Sequence, residues 1–274
     1  MFGYLSLAAV TAGFFAYFHK EAYAPVRVRR FDIPLVDLPP EWDGACVLHL
    51  TDIHARDLTR DRPIILNLLD QEPVAAVFVT GDLFRRGDRA GGEAVLSLLH
   101  AMTSRAPVYF VSGNHDYPVP SLADELQSLG VIPLYNDHVR LSETLYLVGV
   151  EDPQTRRADL DGALEGVPPH AFVILLAHSP RILPAAVRRG IPLLFAGHTH
   201  GGQGRIPFKG ALWVPGQREL FPTFDRGLFR VERTVMWLSS GMGISGPPFR
   251  FLTPPEVCRV RLRREASESQ TRKG

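Results

Sequence analysis

Asp52, His54, Asp82, Asn114, His115, Asp116, His178, His198 and His200 are the residues of this chain whose types and spacing could do chemistry together. They are carboxylates, imidazoles and one amide, a donor set that suits Mn²⁺, Fe or Zn²⁺ better than a Ca²⁺ cage or a structural zinc. His198 and His200 stand two residues apart after the apolar run Ile191, Leu193, Leu194, Phe195 and Ala196. Two imidazoles therefore leave one strand end on the same side. Asp52-x-His54 has the same spacing after its own apolar run, although taken alone a surface turn would produce it too. Gly81-Asp82, Gly113-Asn114-His115-Asp116 and Ala177-His178 each close another apolar run.

These five segments occupy the carboxyl ends of expected strands, where open α/β sheets place their sites. Convergence, more than any one motif, points to a two-metal centre. The other five histidines, His19, His49, His100, His138 and His170, fall outside the segments and read as exposed or satisfied structural residues.

The elements that must position these groups follow from hydrophobic periodicity. Residues 45–51 read as a strand, and Ile64, Ile65, Leu68 and Leu69 mark an amphipathic helix after it. A second strand and helix run over 74–80 and 92–104, and a third pair over 107–111 and 121–129. Alternation of this kind implies an α/β fold with parallel strands and outer helices. Further strands are expected at 145–150, 171–177 and 191–196. Short runs between 205 and 263, separated by Gly and Pro, suggest a second and more antiparallel sheet. The expected architecture is two packed sheets with helices on both outer faces.

Composition sets the limits. The 274 residues are 45% hydrophobic and 22% charged, an ordinary globular balance for one large domain. A net charge of +1 argues against broad capture of nucleic acid. Cys46 and Cys258 lack CxxC spacing and read as buried core residues. Residues Met1 to Phe18 carry no charge and are about one bilayer crossing long at the short end of the range. They read as an uncleaved membrane anchor, with a signal peptide cut after Ala22-Tyr23-Ala24 as the rival. Lys20, Arg27, Arg29 and Arg30 on the C-terminal flank would then place the domain on the cytoplasmic side. The expected organisation is an anchor over 1–24, a Pro-rich linker and edge strand over 25–44, a catalytic domain over 45–264 and a flexible tail over 265–274.

The series DxH, GD, GNHD, H and GHTH, in that order over residues 52–200, resembles the calcineurin-like metallophosphoesterase family. Gly201-Gly202-Gln203 and the stretch from Gly241-Met242-Gly243 to Val257 resemble its membrane-associated bacterial branch, which includes phosphodiesterases and a UDP-2,3-diacylglucosamine pyrophosphatase. That resemblance implies a four-layer α-β-β-α sandwich of two mixed sheets. It also implies that Asp52, His54 and His200 bind one metal ion, that Asn114, His178 and His198 bind a second, and that Asp82 bridges them. Two divalent ions, Mn²⁺ foremost and Fe or Zn²⁺ as alternatives, would lower the pKa of a water and neutralise phosphoryl charge. His115 would protonate the leaving oxygen, with Asp116 as its orienting partner.

Substrate contacts rest on position and resemblance. Arg85 and Arg86 follow the Gly81-Asp82 turn, and guanidinium forks suit phosphate, though a solvated helix start reads equally well. Gln203, Arg205 and Arg250 are further candidates. Gly241 to Gly246 matches GxGxxG, but Pro247 and Pro248 stand where a helix should begin, which rejects a dinucleotide site. The expected activity is hydrolysis of a phosphodiester or pyrophosphate, with a lipid-linked nucleotide at a membrane as substrate. A general phosphodiesterase and a catalytically silent scaffold are the competing readings. The scaffold is disfavoured because every expected ligand is present.

Overall fold

Strands that must be covered on both faces need apolar residues at successive positions rather than alternate ones. Cys46–Leu50, Ala76–Val79 and Leu193–Ala196 are buried at every position. The computed structural model describes residues 13, 16–86, 88–117, 119, 121–214 and 220–265. Two six-stranded sheets carry the fold. The first runs in the order β1 (Arg27–Val36), β14 (Glu256–Glu265), β2 (Cys46–Leu50), β3 (Ala76–Val79), β4 (Val108–Phe110) and β5 (Ile132–Pro133). The second runs β12 (Gly227–Val231), β13 (Thr234–Leu238), β9 (Leu193–Ala196), β8 (Phe172–Leu176), β7 (Leu145–Gly149) and β6 (Asp137–Arg140).

Side chains of the facing strands interdigitate between the sheets. Val47, Phe78 and Val260 from the first meet Leu147, Phe195 and Trp237 from the second in one buried cluster. Helices Asp61–Gln71 and Gly92–Thr103 cover the outer face of the first sheet through Ile65, Leu68, Val95 and Leu99. The short helices Leu160–Ala163 and Leu183–Arg188 cover the second through Leu160, Leu183 and Ala186. This is the four-layer α-β-β-α sandwich that the sequence leads one to expect.

The later chain departs from expectation. Residues 205–263 build only a two-stranded antiparallel hairpin of their own among the described residues, and their longer strands join the two large sheets. β13 pairs in parallel with β9, and β14 returns to the first sheet between β1 and β2. In the second sheet only the edge strands β6 and β12 run antiparallel. The reason lies in β13, which is buried at all five positions. It sends Trp237 inward between the sheets and Met236 and Leu238 outward to the helix layer. A strand buried on both faces belongs inside a sheet rather than at its margin.

The N-terminal expectation is corrected. Among the described residues no helix is long and apolar enough to cross a membrane, so an N-terminal anchor is not supported, nor is the placement of an anchored domain at the cytoplasmic side that followed from it. Residues 1–12, 14 and 15 lie outside the described residues, as does the expected tail beyond residue 265. Residues 16–22 are helical and lean on the globular part. Phe18 sits edge-on to Phe251 at 5.1 Å, and the buried Glu21 accepts the Leu252 backbone N–H at 3.0 Å. Both contacts commit this end of the segment to protein.

Trp237 is the largest fully buried side chain, with the Phe31 ring 4.1 Å away and the Arg29 guanidinium 4.9 Å away. Trp237→Ala is expected to cost about 3–5 kcal/mol, read as a lower midpoint in urea unfolding. Trp237→Phe keeps most of the packing and is expected to cost less than half of that.

Candidate metal centre

The carboxyl ends of β2, β3 and β4 in one sheet and of β8 and β9 in the other open towards one place. The loops after β2, β3 and β9 are bent by an unusual backbone. Asp52, His54, Asp82, His198 and His200 have φ of 52°, 51°, 55°, 74° and 50°, the left-handed region that non-glycine residues rarely occupy. Such strain persists only where the surroundings over-determine it, and it clusters at functional sites.

Glycines let the loops approach. A Cβ on Gly113 would lie 2.1 Å from Asp82 Oδ1, and one on Gly197 would lie 2.1 Å from Thr51 Oγ1 and 2.4 Å from Asp52 Oδ2. Gly241 and Gly243 fit under the Asp52 loop in the same way, with a Cβ on Gly243 only 2.2 Å from Ile53 O. Gly241 and Gly243 therefore belong to loop packing.

Two ligand clusters form around one carboxylate. Asp52 Oδ1 lies 3.4 Å from His200 Nε2 and 3.8 Å from His54 Nε2, and the two ring nitrogens are 3.2 Å apart. Across the site His178 Nε2 lies 3.2 Å from His198 Nδ1. Asp82 Oδ2 is between them, 3.6 Å from His54 Nε2 and 3.2 Å from His178 Nε2. The other oxygen of Asp82 accepts the His115 backbone N–H at 2.9 Å, which leaves Oδ2 for both clusters.

Buried oxygens without partners test whether cations fit. Asp52 Oδ1 and Asn114 Oδ1 have no hydrogen-bond partner although both are buried. An orphaned buried acceptor is costly, and a divalent ion at these positions would satisfy both. Outer contacts orient the rings as metal-binding histidines require. His178 Nδ1 faces Thr80 O at 2.7 Å and His54 Nδ1 faces Phe84 O at 3.2 Å, so Nε2 of each points inward.

Electrostatics agrees. Burial holds His54 below the ordinary imidazole value against the pull of Asp82 and Asp52. Burial, and then the charge on His178, bring His198 down to about 3. Burial, and then His54, hold His200 well below its usual range. Neutral rings present lone pairs, the state in which a metal binds them. Burial works against ionised Asp82, but His178, His54 and His115 outweigh it and hold the carboxyl well below the usual range. At His178 burial is outweighed by Asp82, Asp52 and Asp152, which raise the ring well above its usual value. The carboxylates thus make a place of strong negative potential at His178 Nε2, where a cation would lie.

Other expected residues divide. His115 stands beside the site, its ring 4.9 Å from that of His54, and its Nδ1 accepts the Arg86 backbone N–H at 2.9 Å. The partner that orients it is the Arg86 backbone. Asp116, expected in that role, is buried and bonds three other backbone donors: Asp82 N at 2.6 Å, Leu83 N at 2.8 Å and Gly113 N at 2.9 Å. It ties the β3 and β4 loops together. Burial, and then Asp82, push its carboxyl up to about 7 against those donors.

Arg250 is not a substrate residue. Its guanidinium is fully buried and donates to the carbonyls of Thr253, Ser240 and Gly243. A guanidinium spent on backbone carbonyls cannot reach a ligand. Gln203 is buried and donates to Ser245 O, while Arg205 is paired with Asp225 at 2.6 Å. Arg85 and Arg86 are exposed at the rim.

Two residues of the centre were missed. Asp152, just beyond the end of β7, is buried with Oδ2 3.9 Å from His178 Nε2, and the Gln154 amide contacts the His198 ring. The signal was available, because Leu145–Val150 is an apolar run followed by an acid.

The calcineurin-like phosphoesterase family matches residues 47–202 of the chain. The chain is 27% identical over 270 residues to the uncharacterized metallophosphoesterase YkuE of Bacillus subtilis, covering 94% of this chain and 93% of that protein. It is 31% identical over 271 residues to a protein of Bos taurus named transmembrane protein with metallophosphoesterase domain, covering 88% of this chain and 58% of that protein's length. Among solved structures, the sulfate thiohydrolase SoxB of Thermus thermophilus aligns at 16% identity with a TM-score of 0.45, over 74% of this chain and 52% of that one.

Asp116→Ala would orphan three buried N–H groups at about 1–3 kcal/mol each. The expected result is a fall in stability of at least about 3 kcal/mol in chemical denaturation of chelator-treated protein, with Asp116→Asn falling between the two. An alanine variant as stable as the parent would contradict the tying role.

Proposed function

The chain belongs to the calcineurin-like phosphoesterase family and is a metal-dependent phosphoester hydrolase, and on that premise we propose that it cleaves a phosphodiester or pyrophosphate bond in a lipid-linked substrate at a lipid surface. One observation carries the lipid. The segment that leaves the metal centre after Gly202 enters a hairpin of β10 (Arg205–Ile206) and β11 (Gly210–Ala211). Around that hairpin Ile206, Phe208, Leu212, Trp213, Leu220 and Phe221 are all exposed, Phe208 completely. Phe249 and Leu252 extend the apolar surface through the bridge between Gly204 and Phe251. Contiguous apolar surface of this kind marks a binding site. Aromatic side chains beside a lysine suit the boundary between headgroups and acyl chains, and Lys209 lies 5.6 Å over the Phe221 ring.

The proposed roles follow from the geometry of the side chains. Asp52, His54, Asp82 and His200 would hold one divalent ion, and Asp82, Asn114, His178 and His198 the other. When bound, such a pair neutralises phosphoryl charge and lowers the pKa of a water. Mn²⁺ is the proposed ion, because nitrogen and oxygen donors without thiolate suit it. His115 accepts at Nδ1 from the Arg86 backbone, so its neutral ring carries the proton on Nε2. That N–H is the proton the leaving oxygen receives. Arg85 and Arg86, exposed beside it, meet the phosphate charge.

His115→Ala is expected to lower kcat about 100-fold or more while metal content measured by mass spectrometry stays at the parent level. Undiminished turnover would remove the acid role. For the substrate class, purified protein with Mn²⁺ is to be assayed on UDP-2,3-diacylglucosamine in mixed micelles and on soluble diesters with and without detergent. Turnover of the lipid-linked compound is expected to dominate. Failure on it, with soluble diesters cleaved equally under both conditions, would refute the lipid-linked substrate and leave a general phosphodiesterase.

A further inference from the structure

One buried oxygen beyond the seven expected ligands points at the metal centre. Asp152 follows β7, which pairs with β8, so the two strand ends lie side by side. Its side chain is completely buried. Oδ1 accepts the Gln154 backbone N–H at 2.6 Å and begins the turn Pro153–Thr155. Oδ2 has no hydrogen-bond partner and lies 3.9 Å from His178 Nε2.

The facing groups make that distance informative. His178 Nδ1 is bonded to Thr80 O at 2.7 Å, which requires the proton on Nδ1 and leaves the lone pair of the neutral ring on Nε2. In that neutral, metal-binding form of the ring, a carboxylate oxygen and a nitrogen lone pair face each other in a dry interior. Neither can donate to the other. Such an arrangement calls for positive charge between the two groups, a proton on Nε2 in the metal-free protein and a cation in its place when metal is bound. Asp52 Oδ1 and Asn114 Oδ1 show the same signature, buried and unpartnered. Two donor atoms each about 2.1 Å from one ion stand roughly 3–4 Å apart, and 3.9 Å falls within that span.

Charge adds a second reason. The subsite of Asp52, His54 and His200 has a carboxylate of its own besides the shared Asp82. The subsite of Asn114, His178 and His198 has none. We propose that Asp152 is a further carboxylate of this second subsite, directed at its ion, and that it raises the affinity of that subsite alone. The proposal rests on the dinuclear reading of the centre. The turn it begins reaches the second imidazole as well, since the Gln154 amide contacts the His198 ring at Nδ1 and Nε2.

Binding itself is the test. Full-length protein freed of metal with chelator is titrated with Mn²⁺ and followed by calorimetry and by electron paramagnetic resonance. Asp152→Asn keeps the shape of the side chain and the oxygen that caps the turn, but removes the charge. The first ion is expected to bind as in the parent, and the second about 10- to 100-fold more weakly. Around two equivalents the parent is expected to give a spin-coupled pair spectrum and the variant a single-ion spectrum. Asp152→Ser retains a capping oxygen without the reach, and is expected to match the Asn variant. Circular dichroism of the metal-free variants checks that they are folded. Two ions bound by Asp152→Asn with parental affinities would overturn the proposal, and so would equal weakening of both ions in a folded variant. If the parent takes up one ion or none, the dinuclear reading fails and the proposal fails with it.

Discussion

Asp82 Oδ2 is one carboxylate oxygen within 3.6 Å of a histidine nitrogen from the first sheet and 3.2 Å of one from the second. The rest of the site depends on keeping it there. Ionised oxygen in a dry interior is tolerated only beside positive charge or donors. Asp82 Oδ1 has its donor in the His115 backbone, so the unmet demand falls on Oδ2. The surrounding loops are arranged so that nothing but a ring nitrogen or a cation can answer it. Two sheets that merely packed together would not need this. Two sheets that share an anion do, and the shared oxygen fixes how far apart their strand ends can stand.

That distance explains the cost accepted in the backbone. Five of the proposed ligand residues in the left-handed region are a concentrated strain, each of the order of 1–3 kcal/mol. Asp116 offsets part of it by joining the turns after β3 and β4 with three backbone bonds. Asp52 does the same across the sheets, its Oδ2 accepting from Thr51 Oγ1 and from the His198 backbone N–H. The second oxygen of each carboxylate at the centre, Oδ1 of Asp82 and Oδ2 of Asp52, is thus structural. Chemistry and folding use the same carboxylates from opposite sides.

Much of this was legible in the sequence because each ligand closes an apolar run, and a run covered on both faces is easy to see. The clustered residues declared themselves as candidate ligands by order and spacing. Asp152 was passed over because its run ends in Glu151-Asp152-Pro153, which reads as a turn, and nothing local says that an acid there loses its solvent. Arg250 was misread for the converse reason. An arginine near a glycine loop looks like a phosphate contact, and only the fold shows its guanidinium enclosed by carbonyls. The placement of β13 and β14 was hidden because register between distant strands depends on tertiary pairing rather than on periodicity. Cys46 and Cys258 are buried and free, as small core residues should be.

Arg250 and the N-terminal helix make sense together once their contacts are traced to His200. The His200 carbonyl accepts from Thr253 Oγ1 at 3.2 Å, and Gln203 O accepts from Phe251 N at 2.7 Å. The 250–253 segment is therefore a clamp on the loop that carries His200. Arg250 closes the clamp from inside by joining the Thr253 carbonyl to the carbonyls of Ser240 and Gly243 in the neighbouring loop. From outside, Phe18 packs on Phe251 and Glu21 holds Leu252 N. The described end of the N-terminal segment thus braces the loop that carries His200 through protein contacts. The exposed Ile206, Phe208, Leu212 and Trp213 lie on the continuation of that same loop, so whatever they touch is one short stretch of backbone away from His200. A surface contact and the geometry of His200 are in this way mechanically joined.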